Sequence, residues 1–181
     1  MTLMILGLVL WAAAHLFRRL APARRAALGN AGRGIAAAAI LASVVLMVLG
    51  YRGAAFIPVW TPPAFLTHLN NLLMLLAFYF FAASGLRTRI TRVVRHPQLT
   101  GFKTWAVAHL LVNGDLASIL LFGGLLAWAV ASVILINRAQ PAWTRPAPAG
   151  TAAEVKAVVG TLVVTGAVMG IHYWLGVTPW G

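Results

Sequence analysis

Five histidines, two carboxylates and no cysteine supply most of the reactive chemistry in this 181-residue chain. Residues 95–115 concentrate it. Arg95-His96-Pro97-Gln98-Leu99-Thr100-Gly101 is followed by Trp105-Ala-Val-Ala-His109 and then by Asn113-Gly114-Asp115. His109 lies inside an apolar run, where an unpaired polar group costs roughly 2–7 kcal/mol. An ionisable residue in such a segment is a functional candidate by default. His96 differs, because it sits among Arg92, Arg95 and Lys103 at a basic surface.

Much chemistry is excluded at once. Without cysteine there is no disulfide, no thiolate ligand to haem, no cysteine-held iron–sulfur cluster and no thiol nucleophile. Asp115 and Glu154 are the only acids, so carboxylate-driven hydrolysis or proton transport has little to work with. No nucleophile–base pair, phosphate-cradling glycine loop or paired carboxylate is visible. What remains is imidazole, and imidazole pairs in apolar surroundings suit metal or haem ligation.

The elements that must position these histidines are membrane helices. With 61% hydrophobic and 9% charged residues, the chain is far from a soluble globular composition. The fold expected is all-α: a polytopic membrane helical bundle of about six transmembrane helices, forming one domain over 1–181. Crossing a hydrocarbon core of about 30 Å takes roughly 20 apolar residues. The segments are about 2–17, 35–51, 68–85, 98–113, 116–136 and 155–175, with a proline-bearing loop over 52–66. The first is read as a retained span, since no basic stretch or small-residue cleavage site marks a signal peptide. Segment 98–113 is short enough to re-enter rather than cross, and charge argues for crossing. Loops 18–34, 87–103 and 137–156 hold five, five and three basic residues, against Arg52 alone in 52–67. By the positive-inside rule both termini then face away from the cytoplasm, in a bacterial inner membrane. The arginines therefore mark topology and not a nucleic-acid footprint.

Depth suggests how the histidines pair. His15 lies roughly 5 Å inside the edge marked by Arg18, and His109 roughly 9 Å beyond Lys103. Two imidazoles at similar depth on different helices can ligate a b-type haem without any covalent attachment. Arg95 is a candidate counter-charge for the haem propionates. His68 and His172, both towards the opposite side, are second-tier ligand candidates. The competing reading of any one histidine is a hydrogen bond to a backbone carbonyl or to a Ser/Thr nearby. The remaining polar signals have simpler uses. Asp115 is expected to cap the following helix, and Thr151-Ala-Ala-Glu154 reads as a capping box. Gly166-Ala-Val-Met-Gly170 predicts a close helix approach, and the seven tryptophans read as interfacial anchors.

The order of motifs resembles the NnrU family of bacterial membrane proteins. The resemblance covers almost the whole chain: His15 before Arg18-Arg19, the Arg95–Gly101 stretch, Trp105-Ala-Val-Ala-His109 and Asn113-Gly114-Asp115. It implies a link to denitrification and nitric-oxide metabolism, either as a catalyst or as a non-enzymatic accessory in nitrite or nitric-oxide reductase maturation. The same domain is similar to the 15-cis-ζ-carotene isomerases, which bind haem b. That similarity implies His15 and His109 as haem ligands and a lipid-soluble substrate, isoprenoid or quinone-like. The isomerases carry a cysteine in the Trp-x-x-x-His stretch, where this chain has Ala106, so thiolate exchange is not available. A more distant likeness is to S-adenosylmethionine-dependent membrane methyltransferases with an Arg-His-Pro-x-Tyr-x-Gly stretch. Here Leu99 stands at the tyrosine position and no downstream Glu-Glu pair follows.

Overall fold

The computed structural model describes residues 1–147 and 149–179 and is helical throughout its ordered elements. Seven α-helices follow one another: α1 Thr2–Leu20, α2 Pro22–Ala27, α3 Ala31–Arg52, α4 Leu66–Leu86, α5 Pro97–Val112, α6 Leu116–Ala139 and α7 Thr151–Trp174. A 3₁₀ turn, Arg89–Arg92, lies between α4 and α5. No β-strand forms among the described residues, and an isolated bridge joins Pro58 to Asp115. Helices α1, α3, α4, α6 and α7 are each long and apolar enough to cross a membrane. Their outward residues are apolar and exposed, among them Val9, Leu41, Leu72 and Val163. This surface belongs against lipid, as in a multi-pass membrane protein.

Helix α5, the fourth expected span, has 16 residues, which at 1.5 Å per residue is about 24 Å. Pro97 opens it, where a missing N–H costs nothing and the fixed φ suits the first turn. Short α2, inside the first basic loop, also opens on a proline. The sequence predicts a loop over this stretch, and the structure makes six of its residues helical.

Contacts gather the chain into two compact units: Met1–Trp60 with Gly114–Ala139, and Thr61–Asn113 with Gln140–Gly181. In unit 1, α1 packs along α3 and also meets α6. The approach of α1 to α3 is close enough to require glycine. A Cβ on Gly7 would sit 2.7 Å from Met47 Cγ and 2.8 Å from the Met47 nitrogen, and one on Gly50 would collide with the backbone of Met4. Met4 and Met47 are themselves buried in this seam. At one end of the unit, the Val59 and Trp60 N–H groups donate to the Gly114 carbonyl, and the Leu116 N–H donates to the Ile57 carbonyl. Beside them Tyr51 Oη lies 2.7 Å from Ser118 Oγ, which in turn donates to the Asp115 carboxylate. Asp115 also accepts the Ser118 N–H at 3.0 Å, so it caps α6 as its position after Asn113-Gly114 predicts.

In unit 2, α4 packs against α5 and α7. Gly101 makes the α4–α5 contact possible: a Cβ there would lie 2.7 Å from the Ala77 carbonyl oxygen and 3.1 Å from Phe80 Cβ. The arginine-rich ends of the unit are tied together. The Ala149 N–H donates to the Arg87 carbonyl at 3.0 Å. The Arg89 N–H donates to Glu154 Oε1 at 2.7 Å.

Two expectations are corrected in α7. Glu154 does not close a capping box with Thr151. Gly150 is the N-cap residue, Thr151 already belongs to the helix, and no side chain caps this end. The carboxylate instead reaches across to the first N–H of the 3₁₀ turn, a partner that tertiary structure alone supplies. Gly166 and Gly170 make no close approach either, because nothing lies within 4 Å of a Cβ built at either. The close glycine contacts occur instead at Gly7, Gly50 and Gly101.

Candidate functional site

Each unit contains one histidine held by the tryptophan four residues before it. In unit 1, His15 Nδ1 lies 2.9 Å from the Trp11 carbonyl oxygen. A carbonyl can only accept, so Nδ1 carries the proton and Nε2 keeps the ring's lone pair. The imidazole lies against two indoles, with centroids 4.1 Å away for Trp11 and 4.8 Å for Trp128. The indoles meet edge to face at 5.2 Å, so α1 and α6 together shape the surroundings of the ring.

In unit 2, His109 repeats the arrangement. Its Nδ1 is 3.0 Å from the Trp105 carbonyl, and its ring centroid is 5.1 Å from that of Trp105. Phe102 supports Trp105 at 5.1 Å. The Asn113 side-chain amide donates to the His109 carbonyl at 2.8 Å, fixing the end of α5 around this residue. Ala106 and Ala108 are fully buried on the same helix.

His172 has the same kind of tether, with Nδ1 2.8 Å from the Val168 carbonyl, but no tryptophan at that spacing. His68, the other second-tier candidate, is exposed in the first turn of α4. Helix α5 begins at Pro97, six residues before Lys103, so the helix starts ahead of the basic residue that marks the membrane edge. His109 is therefore about 18 Å along α5, close to its far end at Val112. Its case as a ligand rests on local geometry and not on depth.

His96 is the residue before α5, half-buried, with φ −125° and ψ 66°. The following proline disfavours helical backbone at that position. Arg95 donates through Nη1 and Nη2 to the carbonyls of Gln140, Pro141 and Ala142. It therefore ties the stretch after α6 to the Arg-His-Pro turn. No group of three or more His, Asp or Glu side chains suited to a metal ion occurs among the described residues.

The model of the family described as NnrU protein matches residues 3–179. The chain belongs to the NnrU family. Neither the curated proteins nor the solved structures contain a match to it. Sequence reasoning missed two parts of the site in this NnrU protein. Trp11 and Trp105 are ring partners and backbone tethers of histidines, not merely interfacial anchors. Their signal was present, because Trp11-x-x-x-His15 repeats Trp105-x-x-x-His109 at one helical turn. Trp128 and Asn113 carried no such signal, since α6 packing and the end of α5 bring them in.

Proposed function

We propose that this NnrU protein is a haem b-binding protein of the bacterial inner membrane, with His15 and His109 as the residues that would hold the haem. One observation carries the reading: at both, the tethering carbonyl belongs to a tryptophan whose ring also lies against the imidazole, where His172 has a valine carbonyl. Both imidazoles donate Nδ1–H to the carbonyl of a tryptophan one turn earlier. That bond fixes the tautomer and ring orientation and presents Nε2 as the ligating nitrogen, the usual outer-shell arrangement for a metal-bound histidine. Aromatic and alanine side chains around each ring fit the flat, apolar body of a porphyrin. Arg95 is the proposed propionate partner through its Nε–H, which lies outside its three carbonyl bonds. When bound, haem would supply one-electron redox chemistry. The chain's own residues would orient the ligands and keep water from the site. The role proposed is redox or isomerase-type, on an isoprenoid or quinone-like substrate, within nitrogen-oxide metabolism.

The test is the absorption spectrum of protein purified from haem-replete cells. A low-spin haem spectrum is expected, and colourless protein would overturn the proposal. His96→Ala should leave the spectrum intact, because His96 belongs to the loop turn. If His96→Ala bleaches the protein while His15→Ala does nothing, the Arg-His-Pro turn is the cofactor site. The alternative is an accessory protein for nitrite or nitric-oxide reductase maturation, which predicts a partner complex without turnover. A methyltransferase would bind S-adenosylmethionine near His96 without colour. Against it stand Leu99 and the missing acidic pair.

A further inference from the structure

We infer that a cavity at the arginine-rich end of unit 2, lined by Arg89, Arg92, Val93 and Arg145, is a binding site for a phosphate group. Its volume is about 320 Å³. Three of its four lining residues are guanidinium side chains, and all three are exposed. Bringing like charges together is unfavourable unless an anion joins them, and guanidinium is the side chain best shaped to bind phosphate oxygens in pairs.

Among the described residues no carboxylate side chain lines the recess. Of the chain's two acids, Asp115 is engaged by Ser118 in unit 1. Glu154 faces the Arg89 backbone N–H. The arginines are nevertheless held in place rather than strung on a loose loop. Arg89 and Arg92 belong to the 3₁₀ turn, and Glu154 fixes the first N–H of that turn. The bonds from Ala149 to Arg87 and from Arg95 to residues 140–142 keep the stretch carrying Arg145 against the same turn. Arg145 also lies over the Trp143 ring, 5.9 Å from its centroid. The cavity is thus a preformed cationic recess whose backbone is tied at both sides.

Two sources share the phosphate chemistry: the headgroup of an anionic lipid and a free phosphate. The apolar side of the recess favours the lipid. Val93 is 76% exposed among the arginines, and Trp143 stands beside Arg145. An indole and an isolated aliphatic residue at a basic helix end suit the headgroup and glycerol level of a bilayer.

The experiment uses the full chain in a mild detergent, with native mass spectrometry reading retained phosphatidylglycerol against phosphatidylcholine. Wild type is expected to retain the anionic lipid about tenfold better. Arg89→Gln/Arg92→Gln/Arg145→Gln should bring the two lipids to parity. Arg18→Gln/Arg19→Gln/Arg24→Gln, which removes equal charge from unit 1, should keep the preference. Arg145→Gln alone lies outside any helix and should lower the preference severalfold, which keeps the test valid if the triple variant folds poorly. Inorganic phosphate is then added against chloride at equal ionic strength. Lipid displacement by millimolar phosphate, in wild type alone, supports the site and assigns its source as free phosphate. Persistence of the lipid assigns it as a headgroup. Equal loss of preference in both triple variants, or no preference in wild type together with no effect of phosphate, overturns the inference.

Discussion

In unit 1 the imidazole of His15 is positioned by two helices, because Trp11 comes from α1 and Trp128 from α6. In unit 2 the restraints described for His109 come from its own stretch of chain: Trp105 and Phe102 within α5, and Asn113 just past its end. The same four-residue spacing is therefore joined at His15 by a ring of a second helix, Trp128 of α6, and at His109 by Phe102 and Asn113 of its own stretch. A side chain placed by its own helix is as dependable as that helix. One placed across two helices is as dependable as their packing. Unit 1 should lose its histidine geometry to changes far away in sequence, and unit 2 to changes within one turn.

The largest effect should come from the histidines themselves. His15→Ala and His109→Ala are each expected to abolish the low-spin spectrum or convert it to a five-coordinate form. Unequal results would break the equivalence of the two Trp–His pairs. His172→Ala sharpens the same point, since an effect as large as that of His109→Ala would move the second ligand into unit 2.

Next come the helix seams. Gly7→Ala in unit 1 and Gly101→Ala in unit 2 each press a methyl group on backbone atoms, so each should cost about 1–3 kcal/mol in thermal or denaturant unfolding. Gly166→Ala meets nothing and should gain up to about 1 kcal/mol from helix propensity. A cost at Gly166 comparable to that at Gly101 would show that the open α7 face is covered in the membrane.

Smaller effects test the two kinds of support. Trp128→Leu should disturb the His15 environment, read as a five-coordinate fraction, and leave His109 signals alone. Asn113→Ala should cost about 1 kcal/mol through its lost bond to the His109 carbonyl. If Trp128→Leu is silent while Trp11→Leu is not, unit 1 holds its histidine locally after all. Tyr51→Phe, which removes the contact with Ser118, should cost about 1 kcal/mol in stability.

The helices were legible in the sequence because hydropathy, proline and turn residues act locally. Arg18 and Arg19 mark the end of α1, Pro97 opens α5, and Asn113-Gly114-Asp115 separates α5 from α6. Short α2 and the 3₁₀ turn were not legible, since basic residues at a membrane surface carry no apolar period. The candidate site was legible at His15 and His109, whose imidazoles stand out in apolar runs. Its supports were legible only where they lie one turn away. Trp128 reaches His15 from another helix, and Glu154 finds Arg89 across 65 residues of chain. No local rule connects such pairs.

The Tyr51–Ser118–Asp115 contact has a direction. Ser118 has a single hydroxyl proton, and it points to the carboxylate. Tyr51 must therefore donate to the serine oxygen, so both hydroxyl protons are aligned towards Asp115. An asparagine at position 115 would keep its oxygen for the Ser118 N–H and turn its amide hydrogens to the serine. The serine proton would then swing to the tyrosine oxygen, and the tyrosine would have to send its own elsewhere. An isosteric exchange at the head of α6 would reverse the polarity of the whole line, and the change would be felt at the far end of α3.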